Sequence, residues 1–223
     1  MPRRLLPLIE GNYYHIYNRG VNKLPIFSDR IDYIRMINLA RYYKIVNPVI
    51  RFSKFLILSS NQRKESWNNM AKEKSLVDIV SYCLMPNHFH FLLLQNKENG
   101  ISKFMGDFQN SYVRYYNTRH DRVGPFFQGQ FKAVRVQTEE QLLHLSRYIH
   151  LNPYSSSIIK SSDNLENYEW SSYPEYLDRA KFEFCKKDSI LVNFKNIEGY
   201  SKFVLDNAEY QKKLSKIKHL TLD

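Results

Sequence analysis

Two periods of apolar spacing run through this chain. Tyr13 to Asn18, reading YYHIYN and closed by Arg19-Gly20, predicts a strand followed by a turn. Asp29 to Tyr43 predicts a helix, with Ile31, Ile34, Ile37 or Asn38, and Arg41 or Tyr42 at helical spacing. Val77 to Leu84 is rich in β-formers and ends at Met85-Pro86-Asn87, whose Pro-Asn chemistry predicts a turn, and His88 to Leu94 returns as a second strand of a hairpin. Ile101 to Asn117 places Ile101, Phe104, Met105, Phe108, Tyr112 and Tyr115 or Tyr116 on a helical stripe. Phe131 to Val136 is a short strand. Thr138-Glu-Glu-Gln141 has the form of a capping box that opens another helix, and Pro153 is expected to end it near Asn152.

Strand, helix, strand, strand, helix, strand is the order of the split βαβ unit, so the fold expected is α+β, a ferredoxin-like (RRM-like) antiparallel sandwich with one more helix after the fourth strand. Residues 1–153 would form this core. The polar stretch Ser59 to Ser75 reads as a loop or solvated helix inserted into it. Beyond Pro153 the periodicity weakens: Tyr168-Glu-Trp170-Ser-Ser-Tyr173 is an aromatic cluster, and 177–223 is a mixed tract ending in a Lys-rich helix. Residues 154–223 are therefore expected to be an extension packed on the core or on a bound nucleic acid.

Composition narrows the class. With 223 residues and 43% hydrophobic side chains, the chain can bury a core without staples. Its two cysteines, Cys83 and Cys185, have no partners at zinc spacing, which excludes a disulfide scaffold and a structural zinc site and suits a reducing compartment. No run of about 18 apolar residues occurs. The start, Met1-Pro-Arg-Arg-Leu-Leu-Pro7, is too short and too Pro-broken for a signal peptide. A cytoplasmic protein with no membrane role is expected.

The net charge of +11 points to a polyanion, because Lys and Arg gain by releasing counterions from phosphates. Charge is uneven: 101–136 carries 6 basic and 2 acidic side chains, whereas 137–176 carries 2 and 6, so the latter is expected to lie off a phosphate track. Aromatic residues make up 15%, and rings interleaved with cations suit stacking on unpaired bases. Arg19, Lys103, Arg114, Arg119, Arg122 and Lys132 are the candidate phosphate contacts, and Tyr116, Phe126 and Phe127 the candidate stacking rings.

Two clusters carry chemistry. His88-Phe89-His90 on a strand sends both imidazoles to one face, where they could share a divalent ion or simply face solvent. In Arg147-Tyr148-Ile149-His150-Leu151-Asn152-Pro153, Tyr148 and Asn152 stand four apart on one helical face with His144 a turn earlier, while Leu142, Leu145 and Ile149 form the seating stripe. That pattern aims a phenol and an amide at one place, or else packs an ordinary tyrosine.

From residue 10 to 175 the chain resembles the single-tyrosine HUH transposases, particularly the REP-associated tyrosine transposase branch. The resemblance rests on Tyr14-His-Ile-Tyr-Asn-Arg-Gly20, Tyr82-Cys-Leu-Met-Pro-Asn-His-Phe-His-Phe-Leu-Leu-Leu94, Gly124-Pro-Phe-Phe-Gln-Gly-Gln-Phe131 and Arg147-Tyr-Ile-His-Leu-Asn-Pro153, four blocks in order. It implies that His88 and His90 bind a divalent metal, Mg²⁺ or Mn²⁺, that Asn152 helps complete the site, and that Tyr148 is the nucleophile. Nitrogen ligands suit Mn²⁺ better than Mg²⁺. Gln128-Gly-Gln130 departs from relatives, which often show Glu and Arg there.

The implied reaction is cleavage and rejoining of single-stranded or hairpin DNA, such as repeated palindromic elements, through a covalent 5′-phosphotyrosine, by a monomer or homodimer. A phenol with a reference pKa of about 10 needs help losing its proton, and His144 is the candidate helper. Two other readings compete. One is a non-catalytic single-stranded DNA- or RNA-binding module on a ferredoxin-like sheet; the other is a metal-dependent hydrolase with no covalent intermediate.

Overall fold

The computed structural model describes residues 7–45, 48, 50–72, 74–180 and 183–220; the opening Met1–Leu6 lies outside them. Strand β1 (Tyr13–Arg19) is followed by α1 (Arg30–Tyr43), α2 (Phe52–Leu56) and α3 (Ser60–Ala71). The hairpin β2 (Val77–Met85) and β3 (His88–Gln95) leads to α4 (Gly100–Arg119), β4 (Lys132–Arg135) and α5 (Glu139–Ser155). Beyond it come α6 (Tyr173–Tyr176), α7 (Asp188–Leu191), α8 (Ile197–Leu205) and α9 (Ala208–Leu220). The sheet order is β2-β3-β1-β4 with every neighbour antiparallel, which is the ferredoxin-like arrangement.

Side-chain alternation divides the sheet into two faces. Tyr14 and Ile16 of β1 and Phe89, Phe91 and Leu93 of β3 enter one core with Met36 and Leu39 of α1 and Phe104, Phe108 and Tyr112 of α4. In β2 the parity changes part-way. Ile79 pairs with Leu93 and Ser81 with Leu92, so Val80 is an extra residue. This bulge lets Val77 and Ile79 before it and Tyr82 and Leu84 after it face the same layer, while Val80, Cys83 and Met85 turn to the other.

The inward face of α1 differs from the isoleucine stripe expected. Ile31 and Ile34 are 56% and 42% exposed, and Asp32, Met36, Leu39, Ala40, Tyr42 and Tyr43 are buried instead. A polar residue is inside because α4 supplies its partners. Asp32 accepts from the Ser28 amide at 2.8 Å, from Arg119 at 2.7 Å and from Tyr115 at 3.0 Å, with His120 at 3.0 Å. Burial alone raises its carboxyl's pKa, but these donors hold it below the usual range.

The inserted polar stretch is the solvated-helix alternative: α3 opens with a complete capping box in which Ser59 and Gln62 bond reciprocally. At Thr138, where a capping box is expected, only half is formed. Thr138 caps the Gln141 amide at 3.1 Å, but the Gln141 side chain accepts from Gln137. Pro153 does not end α5, which continues to Ser155. So close to the C-terminus its missing N–H forfeits only the bond to the Ile149 carbonyl, and burial of Tyr154 and Ser155 favours one more turn.

Residues past α5 complete the second layer. Leu165, Tyr173, Tyr176, Ile190, Tyr200, Val204 and Ala208 pack with Leu142, Ile149, Leu151 and Tyr154 of α5 over Val80, Cys83, Met85 and Leu92. The aromatic cluster covers the sheet's β2 edge: the Leu84 amide donates to the Trp170 carbonyl at 2.8 Å and Ser171 bridges to Cys83. His150, fully buried, joins the parts through Ser172 Oγ at 2.8 Å and Tyr200 Oη at 2.7 Å. Cys83 and Cys185 are free thiols. No helix among the described residues is long and apolar enough to cross a membrane.

Two stability outcomes are expected. Asp32→Ala leaves the Ser28 amide and the Tyr115 hydroxyl without their acceptor while Arg119 keeps Asp29, and should cost about 1–3 kcal/mol in a urea unfolding curve. Burial lowers the His150 pKa to about 3, below its unfolded value of about 6.5. The unfolded chain therefore binds the extra proton first, and stability should fall as pH drops from about 6.5 toward 3. Denaturation series at several pH values should show that decline, and His150→Gln should make it shallower, the buried His15, His88 and His90 still contributing with the same sign.

Candidate functional site

β1 and β3 pair with Tyr17 opposite His90 and Arg19 opposite His88. Directly paired side chains share a face, and so do residues two apart, so His15, Tyr17, Arg19, His88 and His90 all project toward the α5 side. The two imidazoles do converge, their ring centroids 5.0 Å apart. His15 of β1 joins them, its Nε2 lying 2.8 Å from Nδ1 of His90. Lys132 and Val134 of β4, paired with Tyr17 and His15, extend the same face.

Helix α5 crosses β2 and β3 but leaves the β1–β4 part open, with Lys132 and Arg19 exposed and Val134 54% exposed. Tyr148 comes down at the boundary. Its ring meets His90 edge-on at 5.7 Å between centroids and His15 edge-on at 6.0 Å. Burial raises the phenol's pKa above its ordinary value, and the Asn152 side chain and the Arg19 charge oppose that only in part. Tyr148 is thus a protonated phenol at neutral pH.

The local chain explains why this end of the sheet is so constructed. Asn18, Arg19 and Gly20 end β1, and the Gly20 amide donates to the Asn87 carbonyl at 2.8 Å. A Cβ at Gly20 would stand 2.2 Å from the Leu24 carbonyl oxygen, so only glycine fits. The Gly124–Phe131 segment folds back onto the same place: the Val21 amide donates to Phe126, the Gln128 amide to Arg19, and Asn18 Nδ2 to Gly129. Three separated sequence blocks therefore meet beside His88.

Burial prepares the imidazoles as neutral donors. Desolvation lowers His88 to about 4, with the Arg19 charge adding, lowers His15 to about 4, and pushes His90 well down. His88 Nδ1 is 2.6 Å from Asn87 Oδ1, and the Asn87 amide is itself oriented by Nδ2 donating to the Lys23 carbonyl. His90 Nδ1 faces His15. Asn152 Nδ2 donates to the Tyr148 carbonyl at 2.8 Å, which leaves its Oδ1 as the available donor atom. Imidazole nitrogens and an amide oxygen are donor types that a divalent cation of the Mn²⁺ or Mg²⁺ class accepts. Among the described residues no three His, Cys, Asp or Glu side chains are grouped to hold a metal.

A model of the IS200-like transposases matches residues 39–152, just over half of the chain. The chain belongs to that family. The matched segment runs from within α1 to Asn152 and so contains His88, His90 and Tyr148 of this IS200-like transposase, while β1 precedes it. Among solved structures, a REP-associated tyrosine transposase bound to a REP hairpin shares the fold, with a TM-score of 0.56 at 12% identity over 82% of this chain and 90% of that one. Comparison with curated proteins finds no match.

The remaining sequence-based assignments scatter. Arg19 and Lys132 flank the site, but Lys103, Arg114 and Arg119 line a cleft of about 820 Å³ on the outer side of α4, across the sheet from Tyr148. Arg119 is already paired with Asp29 and Asp32, and Lys103 with Asp107. Arg122 closes its own turn by donating to the Pro125 carbonyl. Tyr116 and Phe126 are 7% and 5% exposed, so they are core rings and offer no face to a base. Their apolar contacts with Tyr112 outcompete exposure, and Tyr116 also bonds Ser28. Phe127 is half-buried against Phe89. His144 turns to Arg147 and Phe203, away from the phenol.

His15 and Tyr17 were missed because strand alternation gives a face but not a neighbour; the signal lay in the apolar Tyr14 and Ile16, which leave 15, 17 and 19 together on the other side. Gln211 carries no sequence signal. From α9 its Nε2 donates to the Tyr148 carbonyl at 3.0 Å and reaches Ser155 Oγ at 3.4 Å. Gln211→Leu should cost about 1 kcal/mol, read as a shifted urea midpoint at unchanged slope, because Asn152 still satisfies that carbonyl.

Proposed function

We propose that this IS200-like transposase cleaves one DNA strand at an unpaired segment beside a hairpin and transfers it through a covalent 5′-phosphotyrosine. The observation that carries this reading is the Tyr148 ring lying edge-on against His90, on the sheet face that also bears His88. The bound hairpin of the REP-associated relative supports the substrate form.

His88 Nε2, His90 Nε2 and Asn152 Oδ1 are the atoms that would hold a divalent cation, Mg²⁺ or Mn²⁺, whose charge when bound neutralises the non-bridging oxygens of the scissile phosphate. Arg19 lies opposite His88 and adds a permanent positive charge to the same face. Tyr148 Oη attacks phosphorus, an O–P bond to the tyrosine forms, and the bond to the 3′ oxygen breaks. The phenol's proton ends on the released 3′-hydroxyl. Because a phosphodiester is exchanged for a phosphodiester, attack by a second 3′-hydroxyl reverses the step without a nucleotide triphosphate.

The open strip of β1 and β4, with Tyr17, Lys132 and Arg19, is the floor on which unpaired nucleotides would lie, Tyr17 offering a ring and the two cations meeting phosphates. A purely binding module leaves the placement of Tyr148 without a purpose. A hydrolase without a covalent step predicts no protein-linked strand.

Incubation of a labelled hairpin bearing an unpaired flank with the protein and Mn²⁺, followed by denaturing electrophoresis, tests the reading. A protein-linked band is expected, lowered by on the order of 10⁴-fold or more in Tyr148→Phe while hairpin affinity stays nearly unchanged. The fully complementary duplex should be inert. Equal adduct formation by the Phe variant, or equal cleavage of the duplex, would sink the assignment.

A further inference from the structure

His15 belongs to no ligand set in the reading above, yet it makes the closest side-chain contact to His90: Nε2 to Nδ1 at 2.8 Å, the rings stacked with centroids 5.0 Å apart. A neutral imidazole carries one N–H, so a bond between two ring nitrogens requires one to donate and the other to accept. Two arrangements are possible. If His15 Nε2–H donates, His90 holds its proton on Nε2 and that nitrogen has no lone pair for a cation. If His90 Nδ1–H donates, Nε2 of His90 is bare.

His88, on the same strand face, has a partner that fixes its arrangement and so offers the comparison. Its Nδ1 faces Asn87 Oδ1 at 2.6 Å, a side-chain amide oxygen that can only accept, and Asn87 cannot flip its amide without losing the bond from Nδ2 to the Lys23 carbonyl. His88 is therefore an Nδ1–H tautomer with Nε2 bare. His90 shares the face, and no carbonyl or carboxylate among the described residues performs for its Nδ1 what Asn87 does for His88; His15 is the partner there.

We propose that His15 is a positioning residue that fixes His90 as the Nδ1–H tautomer, its own Nε2 acting as the acceptor, so that Nε2 of His90 is kept as a donor atom for a divalent cation. This rests on the metal-dependent reading of the His88–His90 face. His15 is not itself a ligand in this arrangement, since the Nε2 it turns toward the site is occupied by His90. Its ring also meets Tyr148 edge-on at 6.0 Å, so the residue that sets the tautomer also packs against the phenol. What position 15 requires is an acceptor at the reach of Nε2: Gln can present an amide oxygen there, whereas Leu presents none.

Long-range ¹⁵N–¹H NMR of the metal-free full chain reads the tautomers directly. His90 is expected as Nδ1–H in the wild type and in His15→Gln, and as a mixture or Nε2–H in His15→Leu. Titration with Mn²⁺, followed calorimetrically, should show His15→Leu weakened by about 10- to 100-fold, as for loss of an outer partner to a metal-bound histidine, with His15→Gln close to wild type. Thermal melts of both variants check the fold. A wild-type His90 in the Nε2–H form overturns the proposal, as does full Mn²⁺ affinity in folded His15→Leu, or a loss in His15→Gln as large as in His15→Leu. If the wild type shows no saturable Mn²⁺ binding, the metal reading falls and takes the proposal with it; the tautomer spectra tell that failure from the others.

Discussion

The antiparallel register of β1 against β3 is the constraint on which the site depends. Tyr17 lies opposite His90 and Arg19 opposite His88, which puts His15, Tyr17, Arg19 and the two imidazoles on one face. A slip of one residue in β3 would bury its imidazoles among Phe104 and Phe108 and turn Phe89 and Phe91 out of that core. Burial of those phenylalanines therefore enforces the position of the chemistry. The same apolar layer that stabilises the fold selects the side on which the imidazoles stand.

Around that register the molecule supplies order from both ends. At the open end of the sheet, Gly20, Asn87 and the Gly124–Phe131 segment exchange backbone bonds, so Arg19 and His88 are held where three loops meet. From the other side, the residues after α5 anchor the helix that carries the phenol. His150 is tied to Ser172 and Tyr200, Tyr154 bonds Glu209, and Gln211 donates to the carbonyl of Tyr148 itself. The extension is thus a clamp on the tyrosine helix as well as a cover for the β2 edge.

Electrostatics within the site are dominated by desolvation. Burial disfavours the charged form of each imidazole and raises the phenol's pKa further above its ordinary value. Neutral nitrogens are the form that a cation can use, while a protonated phenol is not yet a nucleophile. In the proposed reaction the imidazoles would already be in the form that holds a cation, whereas Tyr148 would have to lose its proton to attack.

The order of elements, the ferredoxin-like sheet, the shared face of His88 and His90 and the placement of Tyr148 and Asn152 on one helix were legible in the chain, because each follows from a period of two or 3.6 residues or from a motif of contiguous residues. What alternation could not supply was distance across the sheet. Whether His15 met a histidine or solvent depended on the register, whether Asp32 or Ile31 faced inward depended on the donors α4 offered, and whether Tyr116 and Phe126 were stacking platforms or core depended on how the 124–131 segment folded back. Pro153 likewise reads as a stop locally, yet packing against α9 favours another turn. Periodicity is a property of neighbours in sequence and survives in any fold that uses it; partners, tautomers and burial belong to contacts between residues far apart in the chain, and only the tertiary structure could decide them.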